Sequence, residues 1–441
     1  MIAGVRIAGV SYGVMRPQRQ HWARHHRILA GALIALIAVA AGLLIAQDQE
    51  TLRVKSPLAA DDARFPQYLA NLLGHRLTAH DSYVVLTNGD HAFPAMIAAI
   101  ERAKKRITLE TYIYEKGEVG TQFTNALEAA TRRGVKVRLV LDAIGSSKMS
   151  AEDIKRLEDA GARIGWVNPI LGFQIEEVNY RTHRKGLVVD GEVAFVGGVG
   201  IADQWAHDAG DFPIWRDTQV EIHGPAVTDV EAAFNQNWIV TGGVVDPEVE
   251  PDVAPAIGPT RSIVVWSAPQ TGANELKLMY LLAIGAARQS IDIESPYLIT
   301  DESSQWSLHE ARRRGVRVRL LVEGDKTDAK AVKYASRGYY ESLLEDGIEI
   351  AEYQPTMMHA KVMVVDGALS VFGSANFDNR SLELNDELNV AVFDRPLAAR
   401  LLQDFEVDLT HSKTLDRDSW RSRPLDQRAR DWFWSYFGEV F

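Results

Sequence analysis

His183 and Lys185 stand two residues apart in "RTHRKGLVVDGEVAFVGG", and His359 and Lys361 do so in "MMHAKVMVVDGALSVFGS", 176 residues further on. In each stretch four residues separate the Lys from an Asp-Gly pair, Asp190-Gly191 and Asp366-Gly367. A neutral imidazole can attack an electrophile, a protonated one can deliver a proton to a leaving group, and two ammoniums can neutralise an oxyanion. Residues i and i+2 of a strand point to one face, so each His shares a side with its Lys. Apolar runs follow, Leu187–Val189 and Val362–Val365, and the Asp-Gly turns end them. One copy alone is adequately read as a turn Asp, a surface Lys and an edge His. Two copies at matching places require a functional reason, because polar residues opening an otherwise apolar strand are costly.

The surrounding chain repeats as well. "AKKRITLETYIY" from Ala103 matches "AARQSIDIESPYL" from Ala286, which aligns Glu110 with Glu294. "RRGVKVRLVLDAIGSSK" from Arg132 matches "RRGVRVRLLVEGDKTD" from Arg313, and "LEDAGARIGWV" from Leu157 matches "LLEDGIEIAEY" from Leu343. These blocks read as helix ends, Gly stops and strands. Their order predicts an α/β fold: two tandem α/β/α layered units, residues 79–245 and 260–415, with a largely parallel central sheet and pseudo-two-fold symmetry. A Pro- and acid-rich linker, 246–259, joins them. Glu110 and Glu294 recur at strand ends on the site side, where the simplest expectation is solvent exposure.

At 441 residues the chain is long enough for two such units, and with no cysteine it has neither disulfides nor thiolate metal ligands. Residues 1–27 carry five Arg and no acid, so the rest of a chain of net charge −11 holds about −16. An acidic body is a poor match for nucleic acid, which is not expected as a partner. Ile28 to Ala46 is 19 residues without a charge, close to one bilayer crossing. With "RHHR" before it, the expectation is a transmembrane helix over 28–46, a cytoplasmic basic N-terminus (1–27), a stalk (47–78) and an extracytoplasmic body. The competing reading is a cleaved signal peptide and a secreted body. The segment 416–441, with Trp432, Phe433, Trp434 and Tyr436 among arginines, suits a membrane interface or a helix packed on the body.

"FGSANFDNRSLELNDELNV" follows the second motif from Phe372, and "VGGVGIADQWAHDAGDFPIWRDTQV" follows the first from Val196. With the duplicated H-x-K-x4-D and the Gly-Ser-x-Asn, the sequence resembles the phospholipase D superfamily over roughly residues 80–415. Within it, "GSANFDNRSLELNDE" and "WRDTQVEIHGPAV" are most similar to bacterial cardiolipin synthases. The resemblance implies phosphatidyl transfer between phosphatidylglycerol molecules, without metal or other cofactor, at a site complete in one chain. Lys185 and Lys361 would neutralise the phosphodiester oxygens, and Ser374 and Asn376 would add neutral donors. One imidazole would form a phosphohistidine while the other serves as acid and then base. The residues alone leave open which does which; the resemblance points to His183 as nucleophile and His359 as acid/base. It groups Asp190 and Asp366 with the active-site set, although physically they read as supports of the turns.

A carboxylate behind each imidazole would fix its tautomer. Asp217 and Glu387, aligned through Val220 and Val390, are the candidates, each following its own His on a later strand. One departure stands out: Gly198 and Gly200 occupy the first-copy places of Ser374 and Asn376, so an oxyanion donor is missing there unless backbone N–H groups replace it. The competing functions are a hydrolytic phospholipase, a nuclease of the same superfamily and a catalytically dead lipid-binding scaffold.

Overall fold

The computed structural model describes residues 51–169, 180–206, 214–245, 254–268 and 275–438, with Gly31 alone before them. The chain divides into two compact units, Met1–Glu50 and Thr51–Phe441, and both His-Lys motifs lie in the second. The basic N-terminus and, Gly31 apart, the expected transmembrane helix lie outside the described residues. Among the described residues no helix is long and apolar enough to cross a membrane.

The first half contributes β1 (Leu77–Thr87), β2 (Arg106–Thr111), β3 (Lys136–Asp142), β4 (Arg163–Val167), β5 (Gly186–Val189), β6 (Val193–Gly197) and β7 (Thr218–His223). The second contributes β8 (Thr260–Ser267), β9 (Ser290–Glu294), β10 (Arg317–Glu323), β11 (Glu349–Tyr353), β12 (Val362–Val365), β13 (Leu369–Gly373), β14 (Glu387–Phe393) and β15 (Ser412–Thr414). All belong to one sheet, ordered β15-β11-β10-β9-β12-β13-β14-β8-β1-β7-β6-β5-β2-β3-β4. Apart from β15, the order of one half mirrors that of the other about the seam β8-β1, which is the repeat seen in the sequence.

The sheet is not largely parallel, contrary to expectation. Only β2-β3-β4 and β9-β10-β11 run parallel, and every other pairing is antiparallel. The cause is local. Asp190 and Gly191 have φ of 54° and 71°, and Asp366 and Gly367 have 53° and 56°. Two successive positive φ values make the tight hairpin turn that Asp-Gly favours, so β5-β6 and β12-β13 must return antiparallel.

The halves are joined by backbone. β1 pairs with β7 through Ser82–Thr87 and with β8 through Leu77–Asp81, shifting register at His80, where φ is 71°. Buried Asp81 fixes the junction by accepting from Ser262 Oγ at 2.9 Å and from the Ala226 N–H at 2.8 Å. Helices cover both faces. One apolar cluster serves each half, and a third draws Val188 and Val220 from the first half together with Val264, Val364 and Val390 from the second.

The expected stalk is corrected where it is described. Residues 51–78 do not stand free of the body: Phe65, Leu69 and Leu73 line one face of the helix Phe65–Leu73 and enter the second half's core beside Ile263 and Tyr280. Three apolar residues at four-residue spacing make this an ordinary amphipathic core helix.

Candidate active site

Each His sits just before its strand, in an extended segment pinned to the other half. The His183 N–H donates to Asp386 O at 2.8 Å, and the Asp386 N–H donates to Arg181 O at 2.9 Å. In mirror image, the His359 N–H donates to Arg216 O at 2.7 Å, and the Arg216 N–H donates to Met357 O at 2.9 Å. These bridges bring the residue before Glu387 against the first motif and the residue before Asp217 against the second. The two motifs therefore meet, and their carboxylates are exchanged.

The His183 Nδ1–H donates to Glu387 Oε1 at 2.9 Å, and the His359 Nδ1–H donates to Asp217 Oδ2 at 2.7 Å. Each imidazole is thus held by a fully buried carboxylate from the opposite half, not from its own. With Nδ1 carrying the proton, Nε2 keeps its lone pair and is the nitrogen available for chemistry. Burial alone would raise both carboxyls, but their histidines outweigh it. Asp217 is held low by His359 with help from Lys361 and Trp205, and Glu387 by His183 with help from Lys185 and Ser374.

Lys185 and Lys361 are both buried, and each ammonium donates to the carbonyl of its own histidine, at 3.1 Å and 2.6 Å. Burial, then the charge of Lys361, depresses Lys185 to about 7. Burial depresses Lys361 to about 8 against the pull of Asp217 and Glu387. Both ammoniums act on both imidazoles. His183 is pushed down to about 4 by burial, with Glu387 opposing and Lys185 and Lys361 assisting. His359 is lowered by burial and by Lys361 and Lys185, with Asp217 opposing. Two neutral imidazoles and two ammoniums that bond only backbone carbonyls, with the carboxylates taken up by the imidazoles, describe a cradle for an oxyanion. Tyr112 stands edge-on to the His183 ring at 5.1 Å, and Trp205 and Trp215 enclose His359 at 5.3 and 5.6 Å.

Ser374 lies elsewhere than expected. Its hydroxyl is fully buried and donates to Glu387 Oε2 while accepting the Leu388 N–H at 2.9 Å, so it orients the carboxylate and has no proton left for a phosphate. Asn376 is buried, and its Nδ2 donates to no described residue, so it is this N–H, and not the unpaired acceptor Oδ1, that can serve a ligand oxygen. Asp190 and Asp366 are corrected as catalytic candidates. They lie past the far ends of β5 and β12, roughly 20 Å of extended chain from their histidines at about 3.3 Å per residue. Asp190 accepts the N–H groups of Lys104, Lys105 and Arg106, and Asp366 those of Arg288, Gln289 and Ser290, all at 2.7–2.9 Å. They tie each turn to the start of β2 or β9.

The glycines of the first copy have a steric cause. A Cβ on Gly198 would come within 2.2 Å of Asp217 Oδ1, and one on Gly200 within 3.0 Å of Trp205. Trp205 fills the space, and its Nε1–H donates to Asp217 Oδ2 at 2.8 Å, as the Ser374 hydroxyl does to Glu387. The Gly198 N–H is committed to Thr218 O at 3.1 Å and does not replace the missing donor. Trp205 went unnoticed in the sequence; the loss of Ser from the first copy was the available signal.

Glu110 and Glu294 are buried, not exposed. Glu110 Oε1 accepts from Thr182 Oγ1 at 2.6 Å and Asn237 Nδ2 at 2.7 Å, and burial raises its carboxyl to about 7. Glu294 is likewise raised by burial, beside Arg216, whose Nε–H donates to Asp408 Oδ2 at 2.6 Å. These networks brace the residues next to each histidine. Arg181, whose Nε–H donates to Asp142 Oδ2 at 2.9 Å, has no counterpart in the second half, where Met357 stands. Repeat logic therefore could not find it.

The family described as "Cardiolipin synthase, PLD-like domain" matches the chain twice, over residues 96–238 and 280–409. A cardiolipin synthase of Geobacillus kaustophilus (strain HTA426) is 36% identical over 361 residues, covering 81% of this chain and 72% of that protein. Cardiolipin synthase 2 of Bacillus cereus is 37% identical over 354 residues, covering 78% and 67%. The crystal structure of phosphatidylserine synthase from Haemophilus influenzae Rd KW20 superposes with a TM-score of 0.65 at 15% identity, over 86% of this chain and all of that one, a likeness of fold. One sheet built from two mirrored halves, each closing the other's histidine–carboxylate pair, is in this chain the architecture of the phospholipase D-like cardiolipin synthase family, to which it belongs.

Proposed function

We propose that the protein is a phosphatidyltransferase that converts two phosphatidylglycerol molecules into cardiolipin and glycerol. The observation that carries this reading is the pair of exchanged histidine–carboxylate contacts beside two depressed lysines. The family relationship supports the choice of substrate and acceptor.

In the first step Nε2 of His183 attacks phosphorus and the bond to the headgroup glycerol oxygen breaks. His359, protonated as substrate charge enters, gives its proton to that oxygen, and glycerol leaves. His183 suits the nucleophile because its low pKa keeps it neutral, and its side chain is 12% exposed against 6% for His359. In the second step a headgroup hydroxyl of another phosphatidylglycerol attacks the phosphohistidine, His359 takes its proton, and the N–P bond breaks. Lys185, Lys361 and the Asn376 amide hold the non-bridging oxygens throughout. The 19 uncharged residues of 28–46 support a membrane anchor with the body on the extracytoplasmic side.

The test is lipid mass spectrometry of a cardiolipin-free host making the chain or its His183→Ala or His359→Ala variant. Cardiolipin is expected with the parent chain alone. Phosphatidic acid in its place would make the enzyme a hydrolase, and no new phospholipid would end the lipid reading.

A further inference from the structure

The helix Leu425–Ser435 carries its apolar residues on the outside. Leu425, Trp432, Phe433 and Tyr436, the last just past the helix end, are 79%, 70%, 51% and 54% exposed. At 100° per residue they fall with Arg428 and Ala429 within roughly 140° of arc, a single face. The opposite face, which carries Asp431, Arg430 and the half-buried Trp434, is attached to the body. Asp431 is 1% exposed and bonds Arg337, Arg423 and Arg430. A soluble helix ordinarily turns its apolar stripe inward, and this one is inverted.

Two further observations say what covers the stripe. A cavity of about 430 Å³ opens between the stripe and the body, its lining including Leu425, Arg428, Ala429 and Trp432 from the helix and Arg337, Glu341 and Arg423 from the body. Arg428 is exposed and has no ion-pair partner among the described residues. Aromatic rings beside an unpaired guanidinium fit the boundary between acyl chains and anionic headgroups. The helix end is also linked to the segment that follows Asn376. The turn after the helix packs through Gly438 on Ile299, where a Cβ would lie 3.0 Å from the Ile299 side chain. Ile299 O accepts the Asn379 N–H at 2.9 Å, three residues beyond Asn376.

We propose that this face is a docking surface for an anionic bilayer, with Trp432, Phe433 and Tyr436 entering the interface, Arg428 meeting lipid phosphates, and the catalytic cradle thereby held at the lipid surface. The proposal rests on the phosphatidyl-transfer reading, but it fails separately from it. A hydrophobic segment elsewhere would hold the chain at a membrane without immersing this helix.

The chain has no cysteine, so a single introduced one labels cleanly. Full-length Phe433→Cys and Tyr436→Cys proteins, spin-labelled, are reconstituted in vesicles of phosphatidylglycerol with phosphatidylcholine or of phosphatidylcholine alone. Leu72→Cys, 47% exposed on another helix, gives the water-exposed reference. In the anionic vesicles the labels at 433 and 436 should collide severalfold less with an aqueous nickel chelate than the reference does, and more with oxygen. Arg428→Gln should weaken that protection. Labels as open to nickel as the reference overturn the proposal, and equal protection in phosphatidylcholine alone overturns its anionic character. Cardiolipin formation is measured on the same samples. Synthesis with a water-exposed label removes the docking surface alone, whereas a protected label without any new phospholipid removes the transfer reading alone.

Discussion

Glu387 of the second half holds His183 of the first at 2.9 Å, and Asp217 of the first half holds His359 of the second at 2.7 Å. Glu387→Gln preserves shape while removing the anion that fixes the Nδ1–H tautomer. Its kcat is expected to fall roughly 10²- to 10⁴-fold, as is that of Asp217→Asn, with little change in Tm. Combining Asp217→Asn with His359→Ala should cost no more than His359→Ala alone, because the partner is then already gone. Coupling of Asp217 to His183 instead would contradict the exchange.

Trp205 and Ser374 each donate to one of these carboxylates. Trp205→Phe and Ser374→Ala should each lower kcat by about 10- to 100-fold while leaving KM nearly unchanged. Losing a donor raises the carboxyl pKa, so the acid limb of the pH profile moves to higher pH in both variants. A fall in activity with an unmoved acid limb would reduce Trp205 to packing.

Lys185 and Lys361 titrate at about 7 and about 8, well below their ordinary 10.5. Their charge is lost as pH rises through these values, so kcat/KM should decline between about pH 7 and 8 in a titration of the free enzyme. The unfolded chain keeps both protons to near 10.5, so from about 7 upward it binds more protons than the folded state. Folding stability contributed by these lysines therefore rises with pH across that window. An oxyanion between the ammoniums relieves the strain, so inorganic phosphate should raise Tm more at about pH 6 than at about pH 9. Equal shifts at both would argue against paired cations in the cradle.

Asp190 and Asp366 predict a different phenotype. Asp190→Ala or Asp366→Ala strands three backbone N–H groups and places Ala at positive φ, costing about 1–3 kcal/mol of stability. Denaturant titration should show that loss, while kcat per folded molecule stays within about threefold of the parent. A catalytic role would reverse the pattern.

Much of this was legible because the chain says it twice. The two His-Lys pairs, the Asp-Gly turns and the strand blocks share spacings, and spacing survives in the folded sheet. The exchange of Asp217 and Glu387 was not legible, since the partners are 204 and 142 residues apart and the bridges at Asp386 and Arg216 that decide it are long-range backbone contacts. The mixed sheet was misread because the βα blocks suggest parallel order while two-residue turns forbid it. Glu110 and Glu294 carry no mark of burial, because their neutralising surroundings come from the helix Ala226–Val240 and from Arg216 and Asp408, each remote in sequence.

β1 pairs with strands of both halves, so the two motifs are set apart by a hydrogen-bonded ladder and not by a hinge. Prising them open would break that ladder, and the reacting gap keeps one width through both displacements. Glycerol must then depart before the second lipid's hydroxyl can take its place, in strict alternation. Because donor and acceptor are both phosphatidylglycerol, the double-reciprocal plot of initial rate against its concentration should be straight, whereas a ternary complex of both lipids would curve it upward.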